Sequence, residues 1–330
     1  MTHVSLTVRE IGEQGLLQRL QAFCPAELVG DDAAILAPAP AQNLIVTTDV
    51  LVDEVHFSDR TTSPEDAGWR AAAANLSDLA AMGATPLGIT VGLGLPGDLA
   101  VSWVERLYEG LTACLQQFQT PIVGGDIVRS PVRTIAITAL GQASPHQLIR
   151  RSNAHPEQAI LVTGYHGAAR AGLELLLHPD SRRPKAEWEF FVRSHRRPVP
   201  RLDVLPALQA TTAAAIAGMD SSDGLADAVL QICRASGVGA RLERSWLPIP
   251  PGLTDWVGAA QAVNWCLYGG EDFELILCLP WAIAKELVGQ LGHGAAIIGT
   301  TTVEPEVWLV SANDDRRERL TLEQGFQHYS

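Results

Sequence analysis

The sequence predicts a protein of two domains that mixes helices and strands, and three observations support this. The chain has 330 residues, which is enough for two domains that each have a core. Its first half alternates strand-like and helix-like segments. A polar stretch with two prolines at residues 141–156 then separates this half from a second region. We therefore expect domains at residues 1–145 and 146–330.

In the first half, residues 43–48, 87–95 and 133–140 are apolar enough for strands, and residues 101–117 have the spacing of an amphipathic helix. A further helix is predicted from Ser63 to near Gly83. Ser63 can cap it, Pro64 suits its first turn, and Glu65 and Asp66 favour the positive end of the helix dipole.

The second region opens with a predicted strand at residues 159–163 and a glycine-rich turn. Residues 225–235 read as a helix that ends at Gly237, and residues 274–279 read as a strand. Residues 181–201 carry seven basic residues. This segment is either a solvated face or a basic edge near a phosphate site.

Composition excludes several classes of function. The net charge of −13 argues against binding of nucleic acid or of an anionic membrane, since both need a basic surface. The two lysines, Lys185 and Lys285, follow no glycine-rich loop, so a Walker A site is absent. Five scattered cysteines without a C-x-x-C pair indicate free thiols. Without a signal peptide or a long apolar run, we expect a cytoplasmic protein.

Short acidic clusters flanked by glycine, serine or threonine recur along the chain. They read GDD (30–32), TTD (47–49), NLSD (75–78), GGD (124–126), DSSDG (220–224) and GGED (269–272). Carboxylate, hydroxyl and carbonyl oxygens are the ligands that hard cations such as Mg²⁺ accept, and such cations usually accompany phosphate chemistry. Together the clusters predict a divided cation site.

Each cluster also has a purely structural interpretation. DSSDG can cap the helix at 225–235, and GGD can be a glycine turn that ends a strand at Val123. The acids at 31–32 and the TTD cluster can flank a hairpin. Asp78 lies within an alanine-rich helix, where a partly buried carboxylate needs a metal, an arginine or a helix cap as its partner.

The order and wording of the clusters resemble the thiamine-monophosphate kinase family. The matching segments are GDDAAIL (30–36), TTDVLVDEVHF (47–57), NLSDLAAMGATPLG (75–88), GGDIVRS (124–130), RSNAHPEQAILVTG (151–164), MDSSDGLADAV (219–229) and YGGEDFELI (268–276). The wider superfamily includes aminoimidazole-ribotide synthetase, selenophosphate synthetase and a hydrogenase-maturation protein.

The resemblance implies an α+β fold of two α/β domains. The N-terminal mixed sheet would bind Mg²⁺ and ATP and pair across a homodimer, and the C-terminal α/β sandwich would complete the ATP and substrate site. It also implies transfer of the γ-phosphoryl group of ATP to thiamine monophosphate, directly and in line, assisted by several Mg²⁺ ions. No nucleic acid or membrane partner is expected.

The resemblance also assigns residues. The metal ligands would be Asp32, Thr47, Thr48, Asp49, Asp78, Asp126, Asp220 and Asp223, with Asp78 the most critical. ATP would contact Gly125, Asp126, Arg151 and Ser222. Thiamine monophosphate would contact His56, Glu271 and Phe326, the last at a position where the family often has tyrosine or tryptophan. No residue acts as a separate general base.

Two alternatives stay open at this point. One is a superfamily enzyme with another substrate, although the chain lacks the early cysteine–lysine pair of selenophosphate synthetases and the terminal cysteine of the hydrogenase-maturation relative. The segments NLSDLAAMGA and GGEDFEL fit aminoimidazole-ribotide synthetase less well. The other is a regulator that binds nucleotide and Mg²⁺ without turnover.

Overall fold

The computed structural model describes residues 6–29, 33–179, 185–211, 215–292, 294–311 and 317–324. The chain divides into two compact units. Unit 1 comprises Met1–Leu79 and Thr85–Ala143, and unit 2 comprises Ala80–Ala84 and Ser144–Ser330. Each unit contains one sheet together with helices. The predicted α+β fold is therefore confirmed, while the pairing of sheets across a homodimer stays a prediction.

Unit 1 is built on a four-stranded sheet with the order β1-β4-β2-β3. β4 is antiparallel to β1 and to β2, and β3 is parallel to β2. The strands are β1 (Asn43–Val52), β2 (Thr85–Leu95), β3 (Ile122–Arg129) and β4 (Thr134–Ala143). The helices are α1 (Val8–Leu20), α2 (Pro64–Ala81) and α3 (Val101–Leu115).

The two faces of this sheet differ in burial because successive side chains of a strand point to opposite sides. On one side, which we call the inner face, Leu51, Ile137 and Val91 are buried in one core. On the opposite, outer face Val46 and Val50 are exposed. Among the residues that the structure describes, the outer face of the sheet therefore exposes apolar side chains.

Two glycines let α2 and α3 pack closely. A Cβ atom on Gly68 would lie 2.0 Å from the carbonyl oxygen of Leu107, and one on Gly110 would lie 1.8 Å from that of Glu65. α2 begins as predicted, since the Ser63 hydroxyl accepts the amide N–H of Asp66 at 3.2 Å. This packing fixes the position of α2, the helix that carries Asp78.

Unit 2 contains a seven-stranded mixed sheet with the order β11-β10-β7-β9-β5-β8-β6. The strands are β5 (Ala159–Val162), β6 (Ala217–Asp220), β7 (Gly239–Glu243), β8 (Leu275–Leu279), β9 (Ala296–Thr302), β10 (Val307–Val310) and β11 (Arg317–Arg319). The helices are α4 (Ala168–Leu177), α5 (Lys185–Arg196), α6 (Val204–Thr211), α7 (Leu225–Ser236), α8 (Leu253–Val257), α9 (Ala259–Tyr268) and α10 (Trp281–Leu291).

Three loops of unit 2 leave its sheet at one end. β8 is antiparallel to both β5 and β6, with Val162 opposite Ile276 and Asp220 opposite Leu275. The loops after β5 and β6 and the loop before β8 therefore lie at the same end of the sheet. They comprise residues 163–167, 221–224 and 269–274. Two of the predicted clusters, DSSDG and GGED, meet there.

Three local predictions were wrong. Residues 33–42 contain no strand, and β1 pairs with β4 rather than in a hairpin with a preceding strand. β3 does not end at Val123 but continues to Arg129, because Gly125 packs closely on β2. The N-cap of α7 is Gly224, which provides no capping side chain.

Two other features of the described residues bear on the predictions. The five cysteines are free thiols, as predicted, and all except Cys24 are buried. None of the helices in the described ranges combines the length and apolar character needed to cross a membrane.

Candidate active site

In unit 1, β1 and α2 bring two predicted metal ligands into contact. The Thr47 hydroxyl donates a hydrogen bond to the Asp78 carboxylate, and both groups are partly buried. Asp49 lies two residues along β1 and so shares the side of the sheet to which Thr47 points. Thr48 points to the opposite side, where its hydroxyl lies 2.9 Å from that of Thr138. The contact of Thr47 supplies the partner that Asp78 requires.

Asp126 lies apart from these ligands. The register of the sheet places it in one row with Val50, Ala136 and Gly92, on the outer face. Three strand spacings separate β3 from β1, which corresponds to about 14 Å. Mg²⁺ binds its oxygen ligands at about 2.1 Å, so Asp126 and Asp49 of one chain do not share an ion in this sheet.

A cavity of about 170 Å³ opens beside the predicted ATP contacts Gly125 and Asp126. Its other lining residues are Leu17, Leu20, Gln21, Cys24, Leu28, Val29, Ala33, Ala34, Tyr108, Ile122, Val123, Gly124 and Ile127. A cavity of about 150 Å³ holds a benzene ring, so this one is large enough for a planar ring. Sequence reasoning missed this pocket, although Leu17, Leu20 and Cys24 have helical spacing.

His56 lies in a tight loop after β1. The amide N–H of Val52 donates to Nδ1 of His56 at 3.0 Å, so Nδ1 accepts and the ring proton resides on Nε2. Glu54 in the same loop has φ of 61°, a conformation that non-glycine residues rarely adopt. The loop therefore fixes the imidazole as a hydrogen-bond donor through Nε2.

In unit 2 the DSSDG cluster connects β6 to α7. Asp220 is buried at the end of β6, and one of its carboxylate oxygens lies 3.2 Å from the Ser222 hydroxyl, which donates to it. Asp223 is exposed. The N-cap residue of α7, Gly224, makes no side-chain hydrogen bond to the amide groups of the first turn.

The GGED loop holds its backbone in an unusual conformation. Glu271 and Phe273 have φ of 60° and 53°, which is costly for residues with a side chain. The amide of Glu271 donates to the Ser222 carbonyl at 2.7 Å, and this bond joins the loop to DSSDG. Non-glycine residues in this region of the backbone cluster at functional sites, which fits the role predicted for Glu271.

Asp272 anchors the same loop to α4. Its carboxylate accepts the amide N–H groups of Gly167 at 2.7 Å and Ala169 at 2.9 Å, at the start of that helix. Burial raises the pKa of the Asp272 carboxyl to about 7, against the lowering effect of these two donors. Asp272 had no role assigned from the sequence, and its two bonds to α4 make it a structural carboxylate.

Two further buried groups support this edge. Glu274 accepts hydrogen bonds from the Thr163 hydroxyl at 2.5 Å and from the Arg201 guanidinium. Burial raises the pKa of the Glu274 carboxyl, and Arg201 opposes that rise. Burial lowers the pKa of His166 to about 4, so the ring is neutral where it lies 3.1 Å from the Ser221 hydroxyl.

Arg151 lies beside α7, in a short 3₁₀ helix, Arg151–Asn153. The carbonyl of Arg151 accepts the Ser236 hydroxyl at 2.7 Å. Asp227, in the first turn of α7, was not predicted as a site residue. Burial and then the charge of Asp223 raise the pKa of its carboxyl, while Arg151 lowers it. Asp227 therefore interacts electrostatically with Asp223 and with Arg151.

The predicted cation ligands have the right chemistry. Each is a hydroxyl or carboxylate oxygen, which suits Mg²⁺. Within the described residues, no group of three or more histidine, cysteine, aspartate or glutamate side chains is arranged to hold a metal. Asp32 and Phe326, the remaining predicted site residues, lie outside the described ranges.

Comparison with known proteins decides the family. Residues 30–143 match a family model described as AIR synthase related protein, N-terminal domain. The chain is 51% identical to a thiamine-monophosphate kinase from Synechococcus elongatus, over 98% of both chains. It belongs to the thiamine-monophosphate kinase family.

Two solved structures of this family agree with the assignment. The thiamine-monophosphate kinase from Stenotrophomonas maltophilia is 31% identical, with a TM-score of 0.79 over 91% of this chain and 96% of that one. A structure described as AaThiL complexed with AMPPCP and TMP is 29% identical, with a TM-score of 0.75 over 99% of this chain and all of that one. Both relatives extend over both units.

Proposed function

We propose that this protein is a thiamine-phosphate kinase that transfers the γ-phosphoryl group of ATP to thiamine monophosphate, giving thiamine diphosphate and ADP. The observation that carries the proposal is the partly buried Asp78 carboxylate, held by Thr47 beside Asp49 on β1. Thr47 and Asp49 point to the same side of the sheet, and their oxygens and that of Asp78 are donors that suit a hard cation. The names of the relatives and the AMPPCP and TMP complex support the same reaction.

Each unit offers groups that suit a part of ATP. In unit 1 the cavity beside Gly125 and Asp126 offers largely apolar walls and the Tyr108 ring, which suit a purine base. In unit 2 the amide groups at the start of α7, which Gly224 does not cap, suit phosphate oxygens, as do the Ser222 hydroxyl and the Arg151 guanidinium.

Thiamine monophosphate carries a cationic thiazolium ring, an aminopyrimidine and a phosphate. The Glu271 carboxylate would attract the cation or accept from the amino group, and His56 would donate from Nε2. The Phe326 ring would stack on the substrate without the hydroxyl that tyrosine would add. The substrate phosphate is already ionised at neutral pH, so the transfer needs no strong general base.

The proposed Mg²⁺ ligands are Thr47, Thr48, Asp49, Asp78 and Asp126 in unit 1, Asp220 and Asp223 in unit 2, and Asp32. When bound, the ions would neutralise the charge of the phosphates during in-line transfer. The protein's own residues hold the oxygen donors in place. Thr47 orients the Asp78 carboxylate, and Ser222 donates to that of Asp220.

The outer face of the unit 1 sheet is the proposed homodimer contact. Its exposed apolar residues include Leu44, Val46 and Val50 on β1 and Val128 on β3. A second copy of the same face would cover them and remove them from water. The free thiols and the acidic net charge fit the cytoplasm as the proposed location.

A coupled assay with ATP, Mg²⁺ and thiamine monophosphate tests the proposal. We expect ADP and thiamine diphosphate in equal amounts, and no product with free thiamine in place of its phosphate. Tight ATP binding without turnover would favour the regulator instead. Turnover with another phosphate acceptor, but not with thiamine monophosphate, would favour a different enzyme of the superfamily.

A further inference from the structure

Two buried arginines contact the loop that presents His56: Arg70 donates to the His56 carbonyl at 3.5 Å, and Arg133 contacts both ends of the loop. Arg133, at the start of β4, donates from Nε to Asp53 at 2.7 Å and from its Nη1 to Asp59 at 2.7 Å. Asp53 begins the loop at residues 53–57, which we call the His56 loop, and Asp59 follows its end. The two ion pairs therefore clamp both ends of the loop.

Aromatic contacts hold the guanidinium in the same place. Its central carbon lies 5.0 Å from the centroid of the Trp103 ring on α3 and 5.8 Å from that of Phe57, the last residue of the loop. Both distances are within the range of cation–π contacts. Arg133 is only 9% exposed, so water screens these contacts less than it would at the surface.

The backbone of Arg133 contributes as well. Its carbonyl accepts the amide N–H of Asp53 at 3.0 Å. Inside the loop, the amides of Val55 and His56 donate to the Val52 carbonyl, and that of Glu54 donates to Phe57. This closed turn requires the positive φ of Glu54, which costs energy that the surrounding contacts must offset.

We infer that Arg133 is a positioning residue for His56 in the binding of thiamine monophosphate, an inference that rests on the proposed function. Arg133 does not touch the substrate in this scheme. It holds the His56 loop so that Nε2 of the imidazole is presented in one orientation. Its loss should weaken binding of thiamine monophosphate and leave binding of ATP unchanged.

The chain offers a matched control for the substitution. Arg106 on α3 also forms charge-assisted bonds to a carboxylate, that of Glu65, at 2.6 and 2.8 Å, but it lies outside the His56 loop. Arg133→Lys and Arg106→Lys each keep the positive charge and remove the forked guanidinium group. Lysine presents a single ammonium group and cannot reproduce the two-sided geometry of Arg133.

Steady-state kinetics provide the first readout. Arg133→Lys should raise KM for thiamine monophosphate about tenfold and change KM for ATP less than about twofold, while Arg106→Lys changes neither. In a protein that already carries His56→Ala, Arg133→Lys should not raise KM for thiamine monophosphate further, because the two residues act through one contact. A parallel rise of both KM values, or the same rise in Arg106→Lys, would overturn the inference.

Hydrogen exchange provides a second readout that does not need activity. The amides of Glu54, Val55 and His56 should exchange faster in Arg133→Lys than in Arg106→Lys, because the clamp that protects them is weakened. Unchanged exchange at these three amides would also overturn the inference. If the three amides exchange faster in Arg133→Lys but the wild-type protein never phosphorylates thiamine monophosphate, the proposed function alone would be refuted.

Discussion

The Thr47 hydroxyl on β1 donates a hydrogen bond to the Asp78 carboxylate on α2. The two residues are 31 positions apart in sequence, and their contact joins the TTD cluster to the NLSD cluster in unit 1. One carboxylate oxygen is thereby oriented by the protein itself. The position of Asp78 depends on the packing of α2, so the residue is held in place before any ligand binds.

We predict that Asp78→Asn retains the fold and loses nearly all turnover. The amide has almost the same shape and keeps an oxygen that can accept from Thr47, whereas it lacks the negative charge that a cation needs. Thermal unfolding and the coupled assay measure the two properties. Glu65→Gln is the control, since it removes a carboxylate from the same helix but should retain turnover. Near-normal activity of Asp78→Asn would remove Asp78 from the metal site.

The unusual backbone of Glu271 gives a prediction with two variants. Glu271→Ala and Glu271→Gly both remove the carboxylate, so both should raise KM for thiamine monophosphate. Glycine adopts a φ of 60° without a steric penalty, so Glu271→Gly should be more stable than Glu271→Ala by about 1 kcal/mol. Urea denaturation measures the difference. Equal stability of the two variants would show that the positive φ carries no cost.

Local signals in the sequence predicted much of the fold, and tertiary contacts explain what it missed. The start of α2 was predictable because Ser63, Pro64 and two acids act within a few residues of each other. The glycine cap of α7 was not, since a Cβ on Gly224 would lie 3.0 Å from the carbonyl of Leu267, a residue distant in sequence.

The candidate site shows the same division. The residue types of TTD and GGED indicated oxygen ligands and a substrate loop, because that information is chemical and local. The structural role of Asp272 was not predictable, since only the fold brings the Gly167 and Ala169 amides to its carboxylate. Likewise, the distance of Asp126 from β1 depends on the strand order.

We predict that Asp272 makes stability depend on pH. The pKa of its carboxyl is about 7 in the folded protein, against about 3.9 for an exposed aspartate. Between these values the folded state binds the extra proton, so the contribution of this group falls as pH rises from about 4 to 7 and is lost above that range.

Asp272→Asn tests this prediction. At pH 4 the variant should be less stable by about 1–3 kcal/mol, because the amide NH₂ cannot accept the second helix N–H, and this deficit should shrink as pH rises towards 7. Its free energy of unfolding should fall less steeply between pH 4 and 7 than that of the wild type. Urea denaturation at a series of pH values measures how the free energy of unfolding of each protein changes with pH. Equal slopes for the wild type and the variant would contradict a raised pKa for Asp272.

Gly125 and Gly124 provide the last prediction, because their surroundings differ sharply. A Cβ on Gly125 would lie 2.2 Å from the Val91 carbonyl oxygen on β2, whereas one on Gly124 would meet only a methyl group of Thr90, at 3.8 Å. Gly125→Ala should therefore force β2 and β3 apart and destabilise the protein by about 1–3 kcal/mol. Because Gly125 also lines the cavity, the shift should weaken ATP binding as well. Gly124→Ala is the matched control and should unfold close to the wild-type temperature. Equal melting temperatures for the two variants would show that the close packing of β2 on Gly125 does not require glycine at this position.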